Sequence, residues 1–331
     1  MGAQAALSPD QILRDLANLW VTIGKQGQPE TGMGVLRACS LNLIVVADES
    51  DDFQALGETV VALMPEHPAR AITIRLSAAA DAELQGRVFS QCWMPFGQRR
   101  QICCEQIEIL ASGETLEDAL SLVAAVAAPD LPLVGWCRSA RLVERPDFAK
   151  LFQAASRVVV DSARSADARS AVGRLAQLSA EGVPVGDLAW TRLTRWREML
   201  SQSFQNRVRR ERLSGTVQVG VVYGGTPAPV TARYMGAWLM ESLRAAGVAA
   251  VLNLVPDGAA PQDELVRVEL TTNRMRTELS YRDHRLTLDG DGIKHCAGLP
   301  VATDYSLMRE ELAIVGRDPV FEHALRAAAA L

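Results

Sequence analysis

Apolar runs and helix-type spacings alternate at the start of the chain. Residues 41–47 (LNLIVVA) form a continuous apolar run that ends at Asp48, and such a run predicts a strand buried on both faces. Residues 53–64 carry apolar side chains at spacings of three and four, which predicts an amphipathic helix. A second apolar run, residues 71–76, follows. This order predicts a β-α-β unit.

The next segment has the pattern of a β-hairpin. Residues 86–93 and 101–110 are both strand-like, and the turn material Met94-Pro95-Phe96-Gly97 lies between them. Period-two alternation is visible at Ile102, Cys104, Gln106 and Glu108. We therefore expect an antiparallel pair inserted into the first half.

Two further helices and two further strands complete the first half. Residues 115–128 predict a helix entered by a Thr115-x-x-Asp118 capping box, and a shorter helix is expected near 146–154. Apolar residues 133–137 and 157–160 predict buried strands. The first half is therefore predicted to be an α/β domain with a doubly wound mixed sheet and a hairpin.

The second half has a different pattern. A helical segment is expected to begin at 161–167, and Gly182 and Pro184 predict a break after it. A further helix is expected over 230–246. The predicted strands span residues 217–223, 248–255, 265–270, 277–281 and 286–288. Alternation of apolar and charged residues over 266–270 predicts an antiparallel sheet with one wet face. With closing helices near 305–315 and 319–330, this half is predicted to be an α+β domain, and we place the domains at 1–164 and 165–331.

A basic helical segment begins in the second domain. Leu193, Trp196, Leu200, Phe204 and Val208 repeat at spacings of three and four, which predicts one continuous amphipathic helix. Seven arginines and two glutamates lie between residues 192 and 212. Two interpretations stay open: a solvated helix face, or a contact with an anion or an acidic partner.

Composition narrows the class of protein. The chain has 331 residues, 48% of them hydrophobic, and its 34 basic and 39 acidic residues give a net charge of −5. This argues against a surface for nucleic acid or anionic lipid over the whole chain. The most apolar stretch, residues 120–133, is broken by two prolines and an aspartate, and the first residues lack a secretory pattern. We expect a cytoplasmic protein without a membrane span.

The cysteines do not have the spacing of a metal site. The six thiols lie at Cys39, Cys92, Cys103, Cys104, Cys137 and Cys296 and form no C-x-x-C pattern. In a cytoplasmic chain free buried thiols are the expectation. Cys103 and Cys104 make an improbable pair with each other because adjacent strand residues point to opposite faces.

Sequence signatures of catalysis are missing. Residues 24–27 and the turn Gly224-Gly225-Thr226-Pro227 match neither the phosphate-loop nor the dinucleotide fingerprint. The second turn follows a strand and precedes a helix, so it is either an anion cradle or a tight turn. Neither the four histidines nor the adjacent His295 and Cys296 belong to a recognisable nucleophile motif. We assign no catalytic residue, metal ligand or cofactor.

Five short segments stand out in order along the chain. They are R-A-C-x-x-N-L-I-V from residue 37, H-P-x-R-A-I from 67, C-x-E-Q-I from 103, D-L-P…W from 130, and D-L-x-W-T-R-L-T-x-W-R-E from 187. Taken together, these segments resemble the OpcA family of bacterial glucose-6-phosphate dehydrogenase assembly proteins. The matching positions of the first four are Arg37, Cys39, His67, Arg70, Glu105, Gln106, Asp130 and Trp136. One departure is Cys137, where relatives tend to carry a second tryptophan.

The resemblance implies a non-catalytic accessory protein. Its partner would be glucose-6-phosphate dehydrogenase, whose assembly or activity it would promote, supplying NADPH through the oxidative pentose phosphate pathway. In a phototrophic host the resemblance adds thioredoxin as a partner and redox control.

The basic segment supplies candidate contacts for the dehydrogenase, because Trp and Arg are enriched at interface hot spots. These candidates are Asp187, Trp190, Arg192, Arg195, Arg197, Arg209 and Arg210. Trp190 and Trp196 are equally compatible with the core, and for Trp196, on the apolar stripe, we favour it. The alternative function is a regulatory protein that senses a sugar phosphate or nucleotide at the Gly224 turn or at the ends of the first-domain strands.

Overall fold

A computed structural model describes residues 7–26, 35–79, 83–94, 101–205, 207–213, 215–290, 292–314 and 316–331. The chain folds into two compact units. Unit 1 comprises Met1–Val160 with Met308–Gly316, and unit 2 comprises Asp161–Leu307 with Arg317–Leu331. The domain boundary placed after residue 164 stays a prediction.

Unit 1 is built on a mostly parallel sheet. Its strands are β1 Val35–Arg37, β2 Leu41–Asp48, β3 Ala69–Leu76, β4 Gln85–Trp93, β5 Gln101–Ala111, β6 Leu133–Cys137 and β7 Arg157–Val160. They lie in the order β1-β5-β3-β2-β6-β7, all parallel, and β4 pairs antiparallel with β5. Because β3 follows β2 on one side and β6 lies on its other side, the sheet is doubly wound about β2. Residues 41–47 are all buried, as the apolar run predicts.

The helices of unit 1 follow from local signals. They are α1 Pro9–Gln26, α2 Phe53–Leu63, α3 Leu116–Val126, α4 Ala140–Val143 and α5 Phe148–Leu151. The capping box predicted for α3 is wrong. Thr115 makes no side-chain cap bond, and its hydroxyl instead accepts the backbone N–H of Ser112. Helix α1, which packs against β4 and α3, was not expected from the sequence.

The hairpin is confirmed, and it carries a disulfide that the sequence did not indicate. β4 pairs with β5 from Gln85 opposite Leu110 to Trp93 opposite Ile102. Cys92 lies directly opposite Cys103, and the two are bonded. The expectation of free thiols is therefore wrong for this pair, while Cys39, Cys104, Cys137 and Cys296 form no disulfide. The predicted turn residues 95–97 lie outside the described residues.

A late segment of the chain also belongs to unit 1. The Arg157 side chain donates to Glu311 Oε2 from Nε at 3.0 Å and from Nη2 at 2.6 Å, and from Nη1 to the Gly316 carbonyl at 2.9 Å. Both partners of this ion pair are buried. Removal of one partner of such a pair leaves an uncompensated buried charge. The pair therefore holds the segment Met308–Gly316 at Arg157, the first residue of β7.

Unit 2 contains a six-stranded mixed sheet. Its strands are β9 Val217–Gly224, β10 Ala250–Asp257, β11 Leu265–Thr271, β12 Arg276–Arg282, β13 Arg285–Gly290 and β14 Ile293–Gly298, after the short β8 Val185–Asp187. They lie in the order β10-β9-β11-β12-β13-β14. β10 is parallel to β9, and the other neighbours are antiparallel. This confirms an α/β first half followed by an α+β second half.

Helices and a 3-10 turn complete the described structure of the second half. They are the turn Ser162–Arg164 and helices α6 Ala168–Ala180, α7 Leu188–Thr191, α8 Thr194–Ser203, α9 Arg207–Glu211, α10 Val230–Ala245, α11 Asp304–Leu312 and α12 Pro319–Ala329. The continuous helix predicted from Leu193 to Val208 is wrong, because α8 ends at Ser203 and α9 begins at Arg207. Within the described ranges, no helix is long and apolar enough to cross a bilayer.

Candidate functional site

Three of the motifs singled out in the sequence meet at one buried carboxylate of unit 1. Glu105 on β5 accepts Nε of Arg70 at 2.6 Å and Nη2 of Arg37 at 2.8 Å. The Trp20 indole of α1 donates to the same carboxylate, and Arg70 also donates to the Val126 carbonyl at the end of α3. One carboxylate therefore joins β1, β3, β5, α1 and α3.

Two thiols border this cluster. Burial raises the pKa of Cys104 to about 11 and also raises the pKa of Cys39. Each thiol donates to a backbone carbonyl, Cys104 to Ala38 and Cys39 to Leu41. Since the thiolate is the reactive form, these cysteines are unreactive near neutral pH, and the cluster is structural in character.

The remaining motif residues of unit 1 lie apart from one another. The Gln106 side chain is buried, and its amide nitrogen finds no partner within the described part of the chain. His67 is half-buried before β3. Asp130 is exposed and has a φ of 61°, in the turn between α3 and β6. Trp136 is fully buried under the Arg138 guanidinium, 5.1 Å from the ring centroid.

The turn between β2 and α2 is filled with carboxylates. Asp52 caps α2 by accepting the N–H groups of Gln54 and Ala55, both at 3.0 Å. Asp51 is buried and accepts two bonds from the Arg138 guanidinium, at 3.1 and 3.2 Å. Both carboxylates are thus held in place by their own partners.

The carboxylate of Asp48, at the end of β2, is also held by hydrogen bonds from its own partners. It accepts the Ser139 hydroxyl at 3.0 Å and Nη2 of Arg141 at 2.8 Å. In doubly wound sheets this turn holds the phosphates of nucleotides through glycine backbone and a free helix N-terminus. Here Asp52 occupies the first N–H groups of α2, and Arg138 and Arg141 are paired with Asp51 and Asp48, so these donors are already used within the chain. A cavity of about 370 Å³ at this edge is lined by Asp48, Ser77, Ser139, Arg141 and Arg145, among others.

Unit 2 has its own buried carboxylate, Asp187, which caps α7. Its Oδ1 accepts the N–H groups of Ser162 and Ala189, both at 3.0 Å. Its Oδ2 accepts the hydroxyls of Ser162 and Tyr234, the latter at 2.8 Å. Burial without a cation on either oxygen raises the pKa of Asp187 to about 6.

Trp190 lies next to this carboxylate in an aromatic cluster. Its ring centroid is 6.0 Å from that of Tyr234 and 5.7 Å from that of Phe321. The Arg197 guanidinium lies 3.6 Å above the ring, and the indole N–H donates to Asp318 at 3.3 Å. Trp196 is also buried, which confirms its assignment to the apolar stripe.

The candidate partner contacts separate into two groups. Asp187, Trp190 and Arg209 are buried, and Arg209 donates to the backbone carbonyls of Gly290 and Ser203. The polar groups of these three side chains bond inside unit 2, and their role as partner contacts stays a prediction.

The other candidates reach solvent to different degrees. Arg192 forms two bonds to Asp161, at 2.7 and 2.8 Å, and Arg197 covers Trp190. Arg195, paired with Glu198, and Arg210 are exposed.

The Gly224-Gly225 turn has the geometry of a close backbone approach. A Cβ on Gly224 would lie 1.7 Å from the Pro261 carbonyl oxygen, and Gly225 has a φ of 80°. The Gly224 N–H already donates to the Glu264 carbonyl at 2.9 Å. These contacts favour the tight-turn interpretation. Within the described residues, His, Cys, Asp and Glu form no group suited to a metal ion.

Two solved structures that are similar to the chain at low sequence identity are oxidoreductases. An NAD-binding oxidoreductase from Klebsiella pneumoniae is 12% identical, with a TM-score of 0.48, covering 88% of this chain and 94% of that chain. The 3-ketoreductase KijD10 from Actinomadura kijaniata is 10% identical, with a TM-score of 0.47, covering 88% and 95%. A likeness of this degree supports no statement about a cofactor or substrate of this chain.

Sequence relatives are more informative. The OxPP cycle protein OpcA of Synechocystis sp. is 26% identical over 200 residues, which are 59% of this chain and 41% of the relative. OpcA of Nostoc punctiforme is 28% identical over 181 residues, 54% of this chain and 38% of the relative. The chain thus spans about two-fifths of the length of the curated relatives it matches.

Family models match both halves of the chain in order. Residues 60–177 match the glucose-6-phosphate dehydrogenase subunit N-terminal domain, and residues 183–325 match the C-terminal domain of the same subunit. These ranges contain most of the motif residues described above. The chain therefore belongs to the OpcA family of glucose-6-phosphate dehydrogenase assembly proteins.

Proposed function

We propose that this chain is a non-catalytic accessory protein that binds glucose-6-phosphate dehydrogenase and promotes its assembly or its activity in the oxidative pentose phosphate pathway. The observation that carries the proposal is the match of both halves, in order, to the two domains of a glucose-6-phosphate dehydrogenase subunit. Thioredoxin as a second partner, redox control and a cytoplasmic location stay predictions.

The carboxylates of unit 1 support a non-catalytic role. A chain that transferred hydride with a dinucleotide would need to hold the pyrophosphate near the β2–α2 turn. Asp48, Asp51 and Asp52 place three carboxylates there. The α2 N–H groups that would hold a phosphate already donate to Asp52, which opposes dinucleotide binding at this turn and favours a scaffold role for the sheet.

We place the contact with the dehydrogenase on the exposed arginines of α8 and α9, here called the arginine surface and defined by Arg195, Arg207 and Arg210. Arg195 and Arg207 are paired within their own helices, with Glu198 and Glu211, where exposed ion pairs contribute little to stability. Their guanidinium groups can therefore exchange these partners for carboxylates of another protein at low cost.

Activation requires that the chain distinguish two states of the dehydrogenase. A bound protein shifts an equilibrium only by the difference between its affinities for the two states. The arginine surface would favour the state of the dehydrogenase that brings carboxylates together at the contact. Such a contact would weaken as salt concentration rises, because exposed charges are screened.

The test is a titration of this protein into glucose-6-phosphate dehydrogenase from the same organism, with NADPH production and complex mass followed together. We expect saturable activation and a heavier complex. An active dehydrogenase that forms no complex and shows no change of rate would refute the proposal.

Variants of one arginine locate the contact. Arg195→Ala and Arg210→Ala should each weaken complex formation, while Arg244→Ala is a matched control. Arg244 is 73% exposed in an i,i+3 pair with Glu241, as Arg195 is 65% exposed in an i,i+3 pair with Glu198. Equal effects of Arg195→Ala and Arg244→Ala would remove the arginine surface from the contact without removing the accessory role.

A further inference from the structure

Strand β10 is an open edge of the unit 2 sheet. It pairs with β9 along its full length, from Ala250 opposite Val217 to Asp257 opposite Gly224. Within the described ranges no strand pairs with its other side. An edge of this kind presents alternate backbone N–H and C=O groups that can pair with another strand.

Most of this edge lacks the usual protection against pairing. Proteins blunt edge strands with charged residues, proline or bulges. In β10 a proline and a charge occur only at the end of the strand, at Pro256 and Asp257. Residues 250–255 (AVLNLV) contain neither, and Val251 and Val255 are 46% and 43% exposed. By contrast, the opposite edge strand β14 carries Lys294 and His295. An unprotected edge with exposed valines indicates a surface that is covered in the assembled protein.

The sequence of this strand is the same in both directions. Val251-Leu252-Asn253-Leu254-Val255 is a palindrome centred on Asn253. A two-fold axis requires that if residue i of one copy faces residue j of the other, then j also faces i. Antiparallel pairing about Asn253 meets this condition, and each residue then faces a residue of the same type in the other copy.

The two faces of the strand agree with the same pairing. Leu252 points towards α10, since a Cβ on Gly236 would lie 2.9 Å from its Cδ2. Side chains alternate along a strand, so Leu254 shares this face, and Val251, Asn253 and Val255 lie on the other. In the antiparallel pair leucine would face leucine on the helix side, and valine would face valine on the exposed side.

We propose that two copies of this chain pair through β10 to form a symmetric dimer with a continuous twelve-stranded sheet. Asn253 lies on the two-fold axis, where the two amide side chains can exchange hydrogen bonds. Val251 of each copy faces Val255 of the other, and Leu252 faces Leu254. The proposal is independent of binding to the dehydrogenase.

The first test is the mass of the isolated 331-residue chain by sedimentation and light scattering over a range of concentrations. We expect twice the chain mass of 35.8 kDa. Val251→Lys and Val255→Glu should each raise the dimer dissociation constant by at least about tenfold, because each places two unpaired charges against apolar side chains. Val301→Lys is the matched control at a valine that is 68% exposed outside β10.

A double variant tests the pairing itself. In Val251→Lys/Val255→Glu, antiparallel pairing about Asn253 brings each new ammonium opposite a new carboxylate of the other copy, so the dimer should be restored. Circular dichroism of every variant separates loss of pairing from loss of folding. A general effect of the added charges on solubility cannot explain a restored dimer, because each substitution alone is expected to weaken the dimer.

A cross-link supplies a second readout. Asn253→Cys should form an intermolecular disulfide, because directly opposite residues of antiparallel strands bring Cα atoms within disulfide range, as Cys92 and Cys103 do inside unit 1 at 4.0 Å. The unaltered protein and Val301→Cys are the controls.

A monomer at all concentrations would overturn the proposal. So would a dimer that Val251→Lys leaves intact, or one that the double variant does not restore while Asn253→Cys fails to cross-link.

Discussion

The buried carboxylate of Asp187 can be tested by two substitutions that remove different parts of its hydrogen bonding. Asp187→Ala removes the acceptor of four donors, namely two backbone N–H groups and the hydroxyls of Ser162 and Tyr234. Asp187→Asn can keep its amide oxygen at the position of Oδ1, so both backbone bonds remain. Only the two hydroxyl bonds are then disturbed.

The magnitudes follow from the number of donors left without an acceptor. A buried unsatisfied donor costs about 1–3 kcal/mol. At pH 4 we therefore expect Asp187→Ala to reduce the free energy of unfolding by about 4 kcal/mol or more, and Asp187→Asn to reduce it by roughly half of that. This loss is a large fraction of the stability of an ordinary domain.

The pH dependence has a definite sign. The pKa of Asp187 is raised from 3.8 to about 6 in the folded chain, so the folded state holds this proton more tightly than the unfolded state does. Its contribution to stability is complete below about pH 4 and is lost as the pH rises through about 6, a decrease of about 3 kcal/mol. Asp187→Asn does not titrate, so this decrease should be absent from its pH profile.

The assay is urea unfolding from pH 4 to pH 7, with native-state hydrogen exchange over residues 185–193 as a local probe. The control is Asp167→Ala, which removes an exposed N-cap from α6 and should cost only about 1 kcal/mol. Equal losses for Asp187→Asn and Asp187→Ala, or parallel pH profiles for Asp187→Asn and the unaltered protein, would refute the reasoning.

Two further predictions concern unit 1. Glu105→Gln should lower the free energy of unfolding by about 3–5 kcal/mol, because it leaves the buried Arg70 guanidinium without its counter-charge. The control Glu108→Gln on the same strand, whose partner Arg87 is exposed, should lower it by at most about 1 kcal/mol. Thermal unfolding compares the two variants, and similar losses would contradict the role of Glu105. NADP⁺ added to the isolated protein should leave Tm unchanged, because the turn after β2 is not expected to bind the dinucleotide. Binding at 100 times the Kd would stabilise the folded state by about 2.7 kcal/mol, so a clear rise of Tm would mean that the carboxylates after β2 do not exclude the dinucleotide.

Local patterns were sufficient for most of the sheet strands. The buried run of β2 and the spacing of α2 are properties of consecutive residues, and both elements form where the pattern places them. Helix α1 and strand β14 were missed, although Ile12, Leu16, Trp20 and Ile23 give α1 a regular helical spacing. The long basic helix was predicted wrongly, because the apolar spacing continues to Val208 whereas α8 ends at Ser203.

The sites depended on contacts that no local pattern contains. Arg37, Arg70 and Glu105 were singled out separately from three motifs, yet only the parallel pairing of β3 with β5 and of β1 with β5 brings them to one carboxylate. Cys92 and Cys103 bond because the register of the hairpin places them opposite each other. Burial of Asp187 and Trp190 likewise depends on Tyr234 and Phe321, which come from distant helices.

The sequence by itself determined the fold class, the order of most elements and the family, because hydrophobic periodicity and short ordered motifs are properties of the chain. Only the tertiary structure decided which arginines are exposed, which carboxylates are buried and which cysteines are bonded. These properties depend on strand order and register, and a shift of register by one residue would turn every side chain of a strand to the opposite face.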